Sequence, residues 1–104
     1  MSRERGIQRE RAVRDWYTAH GWLAFRAPAS LGCADVIAMV AEVAGPEIHL
    51  VEVKSTHRGP FHSFGPDARQ RLRGAARKAG ASPVLAYWPP RGKLRFIPES
   101  EWPS

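Results

Sequence analysis

The chain has 104 residues, 43% hydrophobic and 25% charged, which suits one globular domain with one modest core. No apolar run approaches the ~20 residues of a membrane-crossing helix, and the opening Met1-Ser2-Arg3-Glu4-Arg5-Gly6 carries no secretory apolar segment. The single Cys33 excludes an internal disulfide, so a cytoplasmic setting is expected (host cytoplasm or nucleoid for a viral chain), and the net charge of +6 points to an anionic partner.

Residues from about Arg3 to His20 read as a first helix, with Gly21 just past its end. Its apolar face runs through Ile7, Val13, Trp16 and Tyr17. Glu10 falls on that same face. A carboxylate facing a core is costly unless it is paired or serves a cation. Glu10 therefore reads either as half of an internal salt bridge, with a misjudged helix phase as a variant of that reading, or as part of a cation site. Trp22 to Arg26 reads as a strand, and Ala27 to Gly32 as a loop. Ala34 to Val40 reads as a second strand, Ala44-Gly45-Pro46-Glu47 as a turn, and Ile48 to Lys54 as a third strand. Ser55 to Gly65 carries two Gly and one Pro and is expected to be mobile. A second helix is predicted from Pro66 to Ala79, ended by Gly80, with Leu72, Ala75, Ala76 and Ala79 inward. Pro83 to Trp88 and Leu94 to Ile97 supply two more strands. The order αβββαββ implies an α/β domain with a mixed central sheet flanked by helices.

Charge is concentrated in the second half. Residues 54 to 95 hold ten Lys or Arg and one acid, Asp67. The second helix carries Arg69, Arg71, Arg73, Arg77 and Lys78. Either this is a solvated surface or it binds phosphate. The lack of balancing acids and the preference for Arg favour phosphate.

Strand periodicity puts Glu52 and Lys54 on one face of an otherwise aliphatic segment. Asp35 opens the preceding strand. If the two strands are neighbours, Asp35 and Glu52 converge at one end of the sheet. With the Val53 carbonyl they offer the oxygen ligands that Mg²⁺ prefers, with Mn²⁺ as a substitute. Lys54 beside them is suited to orient the attacking water and offset phosphorane charge. Glu10 could reach the metal or its water from the first helix. A metal-dependent nuclease follows from this combination. His20, His49, His57 and His62 lack a metal-binding spacing, and Gly59, Gly65 and Gly74 form no phosphate-cradling motif, so no nucleotide cofactor is expected. Arg58, with His57 and His62, lies in the loop after Lys54 and reads as a phosphate contact or as solvated loop.

Several runs of residues resemble the PD-(D/E)xK nuclease superfamily, and within it the archaeal-type Holliday junction resolvases. They are Gly6 with Glu10-Arg11, Arg26-Ala27-Pro28-Ala29-Ser30, Asp35-Val36-Ile37-Ala38 and Glu52-Val53-Lys54-Ser55. Ala76-Arg77-Lys78 with Gly80, and Phe96-Ile97-Pro98, extend the likeness over nearly the whole chain. The resemblance implies a restriction-endonuclease-like fold and a homodimer with two active sites that cuts four-way DNA junctions in pairs, using Mg²⁺. It implies metal roles for Glu10, Asp35 and Glu52, a phosphate and water role for Lys54, and DNA contacts from Arg11, Arg26 and Ser30. Ser55 and the basic Arg58, Arg69, Arg73, Arg77 and Lys78 are expected to extend the DNA surface. Ala34 stands where the motif usually has Pro, the loop from Ser30 to Asp35 is short, and Gln70 is offset by about two residues from the family's helical Gln. Trp88, Trp102 and Phe64 are expected either at a dimer interface or in local core. Two rival readings remain: the same chemistry on flaps, ends or a specific duplex, and a non-catalytic DNA-binding module of the same fold.

Overall fold

The computed structural model describes residues 3–28 and 32–103. Ser30 lies outside them. Helix α1 (Arg3–Ala19) leads into strands β1 (Leu23–Arg26), β2 (Val36–Val40) and β3 (Glu47–Lys54). Helix α2 (Pro66–Ala79), strands β4 (Ser82–Tyr87) and β5 (Arg95–Pro98), and a 3-10 turn at Glu99–Glu101 complete the chain. The five strands lie in sequence order in one sheet. Only β3 and β4 run parallel, joined by the crossover through α2, and the other pairs are antiparallel. The mixed α/β sheet flanked by helices is the architecture expected from the element order.

Both helices end as their glycines predict. Gly21 (φ 90°) and Gly80 (φ 65°) adopt the left-handed conformation that an L side chain resists. In each case the following residue donates its N–H to a carbonyl five residues back, Trp22 to Tyr17 at 3.0 Å and Ala81 to Ala76 at 2.8 Å.

Each face of the sheet carries its own core. Under α1, Val13 and Tyr17 pack on Val36, Ala38, Val51, Val84 and Ala86. Under α2, Leu72 and Ala76 pack with Phe64 and Trp102 on Leu50, Leu85, Tyr87 and Ile97. Phe64 and Trp102 are therefore local core and are unavailable to a dimer interface, while Trp88 is half-buried. Phe64 also anchors the segment from Ser55 to Gly65, which was expected to be mobile. Trp16, placed on the inner face by its spacing, is 38% exposed and lies at the rim, stacked on His20 and tilted against Phe96. The predicted second strand from Ala34 begins at Val36, although Asp35 still donates its N–H to the Val51 carbonyl at 2.8 Å.

α2 covers the sheet only above β3 and β4. On that same face, Leu23 and Phe25 of β1 remain 66% and 41% exposed. Cross-strand pairing sets Met39 and Ile37 of β2 beside them, with Ile48 of β3 opposite Met39. The result is an apolar sheet face bordering the free edge of β1. No helix among the described residues is long and apolar enough to cross a membrane.

Candidate active site

Asp35 sits where β2 starts and Glu52 to Lys54 where β3 ends, so antiparallel pairing brings them to one rim of the sheet. Asp35 is fixed on both sides. Its carbonyl accepts the Ala27 N–H at 2.8 Å, and its N–H donates to Val51. Its carboxylate then reaches past the end of β2, where Oδ2 accepts the Val53 N–H at 2.8 Å. Alternate residues of a strand present both backbone groups to the same neighbour. The Val53 carbonyl therefore lies on the Asp35 side, beyond the last β2 residue that could pair with it.

Glu52 and Lys54 share a face, as the period of two requires. Lys54 Nζ stands 3.1 Å from Glu52 Oε2. The Lys54 backbone is held because its carbonyl accepts the Trp88 N–H at 2.9 Å. From α1, Glu10 enters the same hollow and takes the internal pairing, accepting a hydrogen bond from Arg26 Nε at 3.0 Å. Glu10, Asp35 and Glu52 all line one depression of about 300 Å³, together with Arg26, Ala27, Pro28, Gly32 and Ala34.

Burial sets the electrostatics. It pushes the Asp35 carboxyl up to about 7, helped by the charge of Glu52 and more weakly by Glu10, against the Val53 N–H and Lys54. Burial also raises Glu52, opposed first by Lys54, and Arg71 further favours its ionised form. Partly dehydrated carboxylates that repel one another gain from a hard divalent cation. Among the described residues no three of His, Cys, Asp and Glu are gathered tightly enough to enclose an ion. What is present is an open donor set of two carboxylates and an outward carbonyl. It fits an ion such as Mg²⁺, which keeps several waters and uses few protein ligands.

The basic residues sort by environment. Arg69, expected on the DNA surface, is 5% exposed: Nη1 donates to the Phe64 carbonyl at 2.7 Å and the guanidinium lies over Phe61. Arg73 pairs with Glu99 at 2.8 Å and lies over Trp102, so it braces the 3-10 turn. Arg11, Arg58, Arg77 and Lys78 are exposed. Ser55 lines a groove beside Lys54 with Arg5, Gly6, Arg9 and Ser63. Arg71 and Ser63 line a smaller hollow with Glu52 and Lys54. Arg5, Arg9 and Ser63 were not singled out from the sequence, and Arg71 was named there only as part of the basic second helix. The signal for the first two was the four-residue spacing of Arg5 and Arg9, immediately before Glu10.

The chain matches the family model of archaeal Holliday junction resolvases (Hjc) over residues 1–102. No curated protein matches it. Among solved structures it is similar to Hjc of Archaeoglobus fulgidus, described as a Holliday junction resolvase from an archaeal hyperthermophile. The TM-score is 0.74 at 29% identity, covering 90% of this chain and 72% of that one. With a rim of half-buried carboxylates beside a lysine, and a family match that spans nearly its whole length, the chain belongs to the archaeal Holliday junction resolvase family.

Proposed function

We propose that this protein is a Mg²⁺-dependent endonuclease that resolves four-way DNA junctions by paired hydrolysis, with Mn²⁺ able to substitute. The observation that carries the reading is the convergence of Asp35 and Glu52 on one rim with Lys54 3.1 Å from Glu52. Asp35, Glu52 and the Val53 carbonyl would hold the cation, with Glu10 reaching it through water. When bound, the cation polarises the scissile phosphate and lowers the pKa of water beside it. Lys54 then neutralises charge as water adds to phosphorus and the bond to the 3′ oxygen breaks. The products are a 3′ hydroxyl and a 5′ phosphate. Arg26 would release Glu10 or divide its guanidinium donors between Glu10 and the phosphate. Arg11, Ser30, Ser55, Arg58, Arg77 and Lys78 would extend the backbone contacts, giving selectivity through junction shape rather than base reading.

Two opposed strands need two such sites, and a homodimer supplies them. Exposed Leu23 and Phe25, beside half-buried Ile37, Met39 and Ile48, support that assembly, since apolar area of this kind is stabilised by burial against a second copy.

The test is nicking of a synthetic four-way junction with Mg²⁺ or a chelator, beside a flap and a linear duplex. Paired cuts in the junction that need the metal, and that vanish in Glu52→Gln while binding survives, are the expected result. Equal cutting of the flap or duplex would move the substrate. No cutting of any DNA with Mg²⁺ or Mn²⁺ would leave a binding module.

A further inference from the structure

Three hollows adjoin one another around Glu10, Glu52 and Lys54. The carboxylate depression shares Glu10 with the groove of Arg5, Gly6, Arg9, Val53, Lys54, Ser55 and Ser63. That groove, about 360 Å³ in volume, shares Lys54 and Ser63 with the hollow under Arg71. Anything bound at the carboxylates is therefore flanked by a second, cationic compartment across Glu10 and Lys54.

The arginines near this centre differ in what they already hold. Arg26 is engaged by Glu10, Arg69 by the Phe64 carbonyl and Arg73 by Glu99. The side chain of Arg9, half-buried in the groove wall, makes no hydrogen bond or ion pair with any described residue. Gly6 stands one helical turn before Glu10 on the groove floor. Glycine weakens a helix interior relative to alanine, yet a Cβ built on Gly6 meets nothing within 4 Å. Packing does not require glycine there. Its effect is to leave the groove floor open beside Arg9.

We propose that this groove is a second phosphate subsite, in which Arg9 and Ser63 hold the backbone phosphate next to the one cleaved and Gly6 gives it room to enter. Arg9 supplies a bidentate guanidinium and Ser63 a hydroxyl donor, the pair of groups a phosphodiester accepts. A phosphate fixed on each side of Lys54 orients the strand so that the scissile bond faces Asp35 and Glu52. The proposal rests on the nuclease reading only for which phosphate is cleaved. The groove's affinity for a nucleic-acid backbone is measured without cleavage.

The experiment measures binding of a synthetic four-way junction in chelator, with single methylphosphonates replacing the phosphates around the branch one at a time. Arg9→Ala is expected to weaken binding about tenfold and to lower the slope of log affinity against log salt by about one. One methylphosphonate position that weakens the parent should have no effect in Arg9→Ala. Arg9→Gln, which keeps most of the stem, is the second variant, and melting of each is recorded. Gly6→Ala is expected to keep or raise the melting temperature while lowering affinity. Arg14→Ala, in the same helix but paired with Asp15, is the control. Affinity in Arg9→Ala and Arg9→Gln no lower than in Arg14→Ala, or an unchanged methylphosphonate pattern, would overturn the subsite. If the pattern appears but the parent cuts no junction, the proposed function fails and the subsite stands.

Discussion

Asp35→Asn removes a charge that the fold holds at a cost while keeping an oxygen able to accept the Val53 N–H. Moving the Asp35 carboxyl from its usual 3.8 up to about 7 means that ionising it in the folded protein costs up to about 4 kcal/mol. The sign follows from proton linkage. Between the two values the folded state holds a proton that the unfolded state has lost, so stability falls as pH rises from about 4 to about 7 and is level above that. The asparagine variant escapes this loss. Without divalent cation it should be more stable than the parent at pH 8 by a few kcal/mol, an advantage that grows by about 2–3 kcal/mol between pH 5 and pH 8. For a domain of this size that is a difference in Tm on the order of 10 °C. The assay is urea denaturation of both proteins in chelator at the two pH values, repeated with Mg²⁺. Added Mg²⁺ should raise the parent and narrow the gap, because binding to the folded state alone stabilises it. An advantage that is flat or shrinks with pH would refute the reading of Asp35 as a carboxylate whose ionisation the fold opposes.

Lys54→Met keeps the aliphatic stem and deletes the ammonium 3.1 Å from Glu52. Junction cleavage should fall by about 10²- to 10³-fold, with binding in chelator reduced far less; a rate within threefold of the parent would remove Lys54 from the chemistry. Leu23→Glu combined with Phe25→Glu places charge on the uncovered sheet face, and light scattering should then report a monomer. The same double variant should make single nicks rather than paired cuts, and a dimer that survives it must use another surface.

Local order was legible because it rests on short-range rules. The period of two on β3 put Glu52 and Lys54 on one face, and Gly21 and Gly80 ended both helices where left-handed residues were needed. The bounds of α2 follow from Pro66 at its start and Gly80 at its end, which act on the backbone within one turn. Convergence of Asp35 with Glu52 was conditional on adjacent strands, and pairing of β2 with β3 meets that condition.

Tertiary structure decided everything that depended on partners far along the chain. Glu10 was legible as a carboxylate facing inward, but the choice between ion pair and cation waited on Arg26, sixteen residues away. Arg69 and Arg73 look like their neighbours in a basic helix, and only tertiary placement commits Arg69 to the interior with Phe64 and Phe61 and Arg73 to Glu99 and Trp102. Arg9 shows the converse: its spacing from Arg5 is visible in the sequence, but only the fold places it in the wall of a groove. The residue types of Asp35, Glu52 and Lys54, and the strand period that sets the last two on one face, were legible in the sequence. Which charges remain to meet a phosphate depends on which face each helix covers, and that is a property of the folded chain.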